Sequence, residues 1–123
     1  MSSLRISSRL LQKEGRPLEI ESSRRVKSLL SISRKAGKLA CGGDTCLSFI
    51  RRGRARLVVL AVDASGNTQK RFRDKTKFYE TPLIEMFTME ELGAAIGTKP
   101  RAVAAILDEN IAIKINQILE GGA

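Results

Sequence analysis

Apolar residues along this chain gather either in short continuous runs or in stripes at helical spacing, and the alternation of the two predicts the architecture. Two runs are continuous: "LVVLAV", Leu57 to Val62, and "AVAAIL", Ala102 to Leu107. Each is bounded by charged or turn residues, the pattern of a strand covered on both faces. "PLIEM", from Pro82 to Met86, predicts a third strand, and "KLAC", Lys38 to Cys41, a brief one. Between them the period changes. Val26, Leu29 and Leu30 share a face of a helix expected to run from Arg24 to about Lys35, with Gly37 beyond its basic end. Cys46, Leu47, Phe49 and Ile50 form the inward face of a second helix, entered through Gly42 and Gly43 and ended by Gly53. In "SGNTQKRFRDKTKFY" Thr68, Phe72, Thr76 and Tyr79 fall on one face of a third helix, surrounded by Lys70, Arg71, Arg73, Lys75 and Lys77. Thr88 with Glu91 three residues on predicts a capping box opening a fourth helix, "MEELGAAI", which Gly97 closes. Ile111, Ala112, Ile115, Ile118 and Leu119 stripe a last helix. Strands and helices alternating at short spacing argue an α/β domain with helices on both faces of the sheet.

The 123 residues suit one domain, with no internal repeat. Residues 1–22 mix Ser, Arg, Leu and Glu without a period, and Gly15 and Pro17 interrupt any long helix, so they are expected to be a flexible basic tail before a domain at 23–120. No apolar run reaches the length of a membrane span. The charges within "MSSLRISSRLLQKEG" argue against a secretory signal, which leaves a cytoplasmic location as the expectation.

Candidate chemistry is limited by what the chain lacks. It has no histidine, which removes the commonest general base and any Ser-His or Cys-His nucleophile pair. Its two cysteines, Cys41 and Cys46, are too few for a disulfide framework and too poor in partners for zinc; reduced, half-buried thiols are expected. No metal, cofactor or catalytic residue is therefore predicted.

Charge points instead to a partner. The chain carries 22 Lys or Arg against 13 Asp or Glu, a net +9. From Met1 to Tyr79 there are 19 basic and 6 acidic residues, and from Glu80 to Ala123 3 and 7, so all the positive excess lies in the first two-thirds. Such a field favours a polyanion through phosphate contacts and counterion release. Within that region, "CGGDTCLSFIRRG" concentrates the features of an anion or base-edge site. Gly42 and Gly43 let a ligand approach the backbone, the first turn of the helix points N–H groups outward, and Thr45, Ser48 and Arg52 lie on one stripe. Asp44 or Gly43 as a simple helix cap is an equal reading of the same residues. The stretch matches neither a phosphate loop, lacking Gly-Lys-Ser/Thr, nor a dinucleotide fingerprint. Arg34, Lys35 and Lys38 flank it as candidate phosphate contacts. Arg54 and Arg56 read as solvated, and Asp63, at the end of the central strand, as an acceptor of backbone N–H bonds that fixes the neighbouring loop.

Taken together, "LLSISRKAGKLACGGDTCLSFIRRGRARLVVLAVDAS" and "TPLIEMFTMEELGAAIGTKPRAVAAILD" resemble the ribosomal L7Ae/L30e kink-turn-binding family, most closely its bacterial YlxQ-like branch, over about Val26 to Ile115. The resemblance implies a three-layer α/β/α sandwich around a small mixed four-stranded sheet. It also implies a non-catalytic RNA-binding protein, monomeric when free, with structured RNA of the kink-turn type in a ribosome or translation context as its partner. Carried onto this chain, Gly42, Gly43, Asp44 and Thr45 take the positions that read sheared G·A pairs, Ser48 takes a position commonly Lys, and Arg52 keeps a basic residue for phosphate. The loop from Gly97 to Ala102, with Lys99, Pro100 and Arg101, takes the place that covers a flipped-out nucleotide. The archaeal and eukaryotic motif is Gly-x-Asn-Glu where this chain has Gly-Gly-Asp-Thr, and its loop is apolar where this one is basic. Two other functions share these features: a protein-interaction adaptor with a basic face, and an RNA-binding accessory to an RNA-modifying enzyme, since one class of RNA methyltransferase carries a similar small domain.

Overall fold

Burial on both faces makes the two continuous apolar runs the middle of a sheet. A computed structural model describes residues 17–121, in the order α1 (Pro17–Lys35), β1 (Leu39–Cys41), α2 (Gly43–Arg51), β2 (Leu57–Leu60), α3 (Gly66–Phe78), β3 (Leu83–Glu85), α4 (Met89–Ile96), β4 (Val103–Ile106) and α5 (Glu109–Gly121). All four residues of β2 and all four of β4 are buried. The strand order is β1-β4-β2-β3, with β4 antiparallel to both its neighbours and β2 parallel to β3. A parallel pair needs a crossover, and α3 supplies it. Helices α2 and α3 pack together against one face of the sheet, and α1 with α4 and α5 covers the other. Helices thus lie on both faces of the sheet, as the pattern of runs and stripes predicts, in the α/β/α sandwich that the resemblance implies.

The first helix starts earlier than its periodicity suggests. It begins at Pro17, not near Arg24. Proline interrupts a helix only from within; at the first position it has no intrahelical N–H to lose and its fixed φ suits the turn. Residues 17–22 of the expected tail thus belong to α1, and 1–16 lie outside the described residues. Val26, Leu30 and Ser33 form its buried line, and the Ser33 hydroxyl donates to the Leu29 carbonyl at 2.8 Å. The third helix also departs from expectation at its end. Phe72 and Thr76 are buried, but Tyr79 caps α3 and stays 38% exposed, because the chain turns at Glu80 (φ 56°) to reach β3.

The other local expectations match the fold. Thr88 and Glu91 form the capping box, Gly97 ends α4, and Ala112, Ile115 and Ile118 are the buried stripe of α5. Asp63 accepts from the Met89 N–H at 2.8 Å and so fixes the start of α4. Both cysteines are free thiols. Cys41 is half-buried as expected, but Cys46 is fully buried because it lies on the inward face of α2, its Sγ 3.5 Å from the Ala40 carbonyl oxygen it donates to, and burial pushes its thiol up from 9.0 to about 12. A thiol harder to ionise in the fold than in the open chain favours folding below the open-chain value and loses that advantage as pH rises above it. The unfolding free energy is therefore expected to fall between about pH 9 and pH 12 by up to roughly 1.4 kcal/mol per pH unit. In urea melts across that range, Cys46→Ala is expected to show a shallower pH dependence than the parent; equal slopes would contradict it.

Candidate nucleic-acid interface

The interface is organised by the join between β1 and α2. Gly42 adopts φ 95°, ψ 146°, a backbone that L side chains rarely take, and turns the chain from the sheet into the helix within one residue. Its N–H donates to the Val103 carbonyl (3.3 Å), and its own carbonyl accepts from the Cys46 N–H (3.0 Å), the first helical bond of α2. As an N-cap it has no side chain to offer. The N–H groups of Gly43, Asp44 and Thr45 find no hydrogen-bond partner among the described residues. Two other helices satisfy their own first turns: the Ser65 hydroxyl accepts from the Thr68 N–H in α3, and Thr88 from Glu91 in α4. The entry of α2 is left open to an external acceptor.

Two cations converge on this opening. Arg101, half-buried before β4, brings its Nη1 to within 3.9 Å of where a Cβ on Gly42 would stand, and its Nε donates to the Thr98 hydroxyl at 3.4 Å. From α3, the Arg71 Nη2 stands 3.6 Å from a carboxylate oxygen of Asp44, whose side chain is 99% exposed. Asp44 therefore does not cap its helix through hydrogen bonds; it stands in water at the helix entry with a guanidinium beside it. The cap reading of Asp44 is set aside by this geometry, and a cap by Gly43 gives way to Gly42.

The loop Gly97–Ala102 is held against the same end of the sheet. It doubles back along α4, with the Arg101 N–H donating to the Met89 carbonyl (3.1 Å) and the Ala61 N–H donating to the Ala102 carbonyl (2.8 Å). The close approach needs Gly93. A Cβ there would lie 2.3 Å from the Lys99 carbonyl oxygen and 2.8 Å from the Pro100 Cα. Lys99 and Pro100 are exposed on the outer side.

Not every candidate joins this cluster. Ser48 is half-buried one turn along α2, and Arg52 caps the far end of the helix, its guanidinium 4.9 Å above the Phe49 ring. At ~1.5 Å per residue that is about 15 Å from Gly42. Lys38 stands at the other end of β1, where its carbonyl accepts from the Leu107 N–H, and Lys35 is exposed beside it at the end of α1. Arg34 has a different occupation: its Nη1 donates at 3.0 Å to the carbonyl of Ile96, the last residue of α4, where a cation suits the negative helix end. Arg54 and Arg56 are exposed; Arg54 leans over Phe49 at 6.0 Å and Arg56 stands 3.7 Å from Glu109. Arg73 is committed to the fold by a two-pronged pair with Glu85 (2.7 and 2.8 Å), which raises its already high pKa.

Sequence reasoning missed Gly93; it included Thr98 only as part of the loop Gly97–Ala102, and it did not place Arg71, on the basic face of the third helix, beside Asp44. A glycine inside a helical pattern normally costs stability, so Gly93 did carry a signal of close packing. Gly93→Ala is expected to push the Lys99–Pro100 backbone away, lowering stability by about 1–3 kcal/mol and shifting the Arg101 amide resonance. An unchanged melt and spectrum would show that the loop does not need this glycine.

Comparison with known proteins agrees with the architecture. Residues 24–115 match the family model described as the ribosomal protein L7Ae/L30e/S12e/Gadd45 family. The chain is 39% identical over 94 residues to the RNA-binding protein YlxQ of Enterococcus faecium, covering 76% of this chain and 90% of that one. It is 37% identical over 92 residues to the protein of the same name from Bacillus subtilis, covering 75% and 92%. Among solved structures, the Giardia lamblia 15.5kD RNA binding protein superposes with a TM-score of 0.72 over 84% of this chain and 91% of the other, at 22% identity, a likeness of fold. On the matched span and the identity with both bacterial relatives, this chain belongs to the ribosomal protein L7Ae/L30e/S12e/Gadd45 family.

Proposed function

We propose that this protein is a non-catalytic RNA-binding protein whose recognition element is the open entry of α2, and that its target is a structured RNA of the kink-turn type in a ribosome or translation setting. The observation that carries the reading is the uncapped N-terminus at Gly42 with the Arg101 guanidinium beside it. Three backbone N–H groups, the positive end of a helix and a cation together suit phosphate oxygens and the acceptor edges of bases. Membership in a ribosomal-protein family and likeness to two bacterial RNA-binding proteins of the name YlxQ support RNA as the polyanion.

Within that reading each residue has a distinct task. Asp44 accepts hydrogen bonds from the donor edge of a guanine, with Arg71 offsetting its repulsion from nearby phosphates. Thr45 donates or accepts beside it. Lys99, Pro100 and Arg101 close over an unstacked nucleotide from the loop side, with the two cations on its phosphates. Arg52, at the far end of α2, contacts the backbone of the same groove, and Lys35 and Lys38 add to the field at that end. Arg34 acts indirectly, by holding the end of α4 from which the loop springs.

The reading makes two measurable demands. A kink-turn RNA is expected to bind more tightly than the same RNA with its G·A pairs replaced by Watson–Crick pairs, and equal affinities would remove kink-turn recognition. Arg52→Ala is expected to weaken binding by roughly threefold to tenfold and to lower the slope of log affinity against log salt by about one, as the loss of one phosphate contact does. A slope that stays put would take Arg52 out of the contact.

A further inference from the structure

We propose a second RNA contact on the outer face of α3, where Phe78 stacks an unpaired nucleotide flanking the element bound at α2 and the neighbouring cations hold its phosphates. This rests on the reading of α2 as an RNA site. Asn67, Lys70, Arg71, Asp74, Lys75 and Phe78 line one continuous shallow trough. Their spacing of three and four residues places them on a single stripe of the helix. Arg71, near the upper end of the stripe, is the residue that reaches Asp44, so the trough begins beside the α2 entry and runs about 10 Å down to Phe78 at ~1.5 Å per residue.

Phe78 has no place in the core. It is 76% exposed, and its ring meets the more covered Tyr79 edge to face with centroids 4.9 Å apart, so Phe78 stands out in water. Around it cations outnumber the one carboxylate in the trough, Asp74. Lys70 is matched by Asp74 at 2.9 Å, and Arg71 shares Asp44, while Lys75 and Lys77 make no ion pair among the described residues. An exposed ring among cations is the arrangement that binds single-stranded nucleic acid: the face takes a base and the cations take phosphate. A paired helix offers no free base face, so the ligand is an unpaired segment rather than more duplex.

The chain reports on this site itself, because Tyr79 is its one tyrosine and it has no tryptophan. A kink-turn RNA carrying a short oligo-uridine tail is expected to bind about tenfold more tightly than the tail-less RNA. Phe78→Ala is expected to abolish that gain and leave the tail-less affinity alone, while Phe78→Tyr keeps it. A tail that adds nothing, or a gain that survives Phe78→Ala, overturns the proposal. Oligo-uridine alone is expected to quench Tyr79 fluorescence in the parent and not in Phe78→Ala. Quenching of that kind with no binding of the tail-less RNA would retain this site and discard the α2 reading. A poly-glutamate peptide that changes Tyr79 fluorescence as strongly as oligo-uridine would assign the face to an acidic protein and overturn the RNA contact.

Discussion

The antiparallel pairing of β4 with both β1 and β2 is the constraint on which the rest depends. It brings the end of β1, the start of β4 and the end of β2 to one edge of the sheet, where the Gly42 N–H meets the Val103 carbonyl and the Ala61 N–H meets the Ala102 carbonyl. Those two bonds set the helix entry and the α4–β4 loop side by side. The strand can serve both neighbours because Val103 to Ile106 are all buried and two of the four are alanines, so helices approach closely on each side. Everything polar in the proposed interface is hung on this apolar frame.

On that frame, one helix is treated differently from its neighbours. A hydroxyl closes the start of α3 and a reciprocal capping box closes α4, whereas α2 begins on a glycine in a conformation closed to most residues. Beginning on a glycine with three N–H groups lacking an internal partner forgoes only about a few tenths of a kcal/mol relative to a hydroxyl cap. A ligand that supplies acceptors there recovers it, with Arg101 adding charge. Much of the remaining basic charge has other partners: Arg34 on the Ile96 carbonyl, Arg73 on Glu85, Arg56 near Glu109. Net charge alone thus overstates the footprint, and the proposed contact is narrower than the basic two-thirds of the chain.

The parts of the fold that local chemistry decides were legible in the sequence. The continuous runs at Leu57 and Ala102 became the central strands, Thr88 and Glu91 the capping box, and the Gly42–Gly43 step the helix entry. The loop Gly97–Ala102, named on a family likeness, does lie at that entry. What the sequence hid was long-range or ambiguous. Pro17 starts a helix as readily as it stops one. Arg34 meets Ile96 62 residues away, Arg71 meets Asp44 from a separate helix, and no periodicity links either pair. Lys38 looks adjacent to Gly42 along the chain, but an extended strand places them about 13 Å apart at ~3.3 Å per residue. Tyr79 left its predicted face because the turn into β3 ends the helical register at Phe78.

The central claim is that the open N-terminus of α2 is where RNA docks. Titrating the isotopically labelled protein with a kink-turn RNA and following its backbone amides tests this most directly. The account predicts that the amides of Gly43, Asp44 and Thr45 move furthest and gain protection from solvent exchange, together with the Arg101 guanidinium. Those four signals standing still while α1 and α5 respond would contradict it.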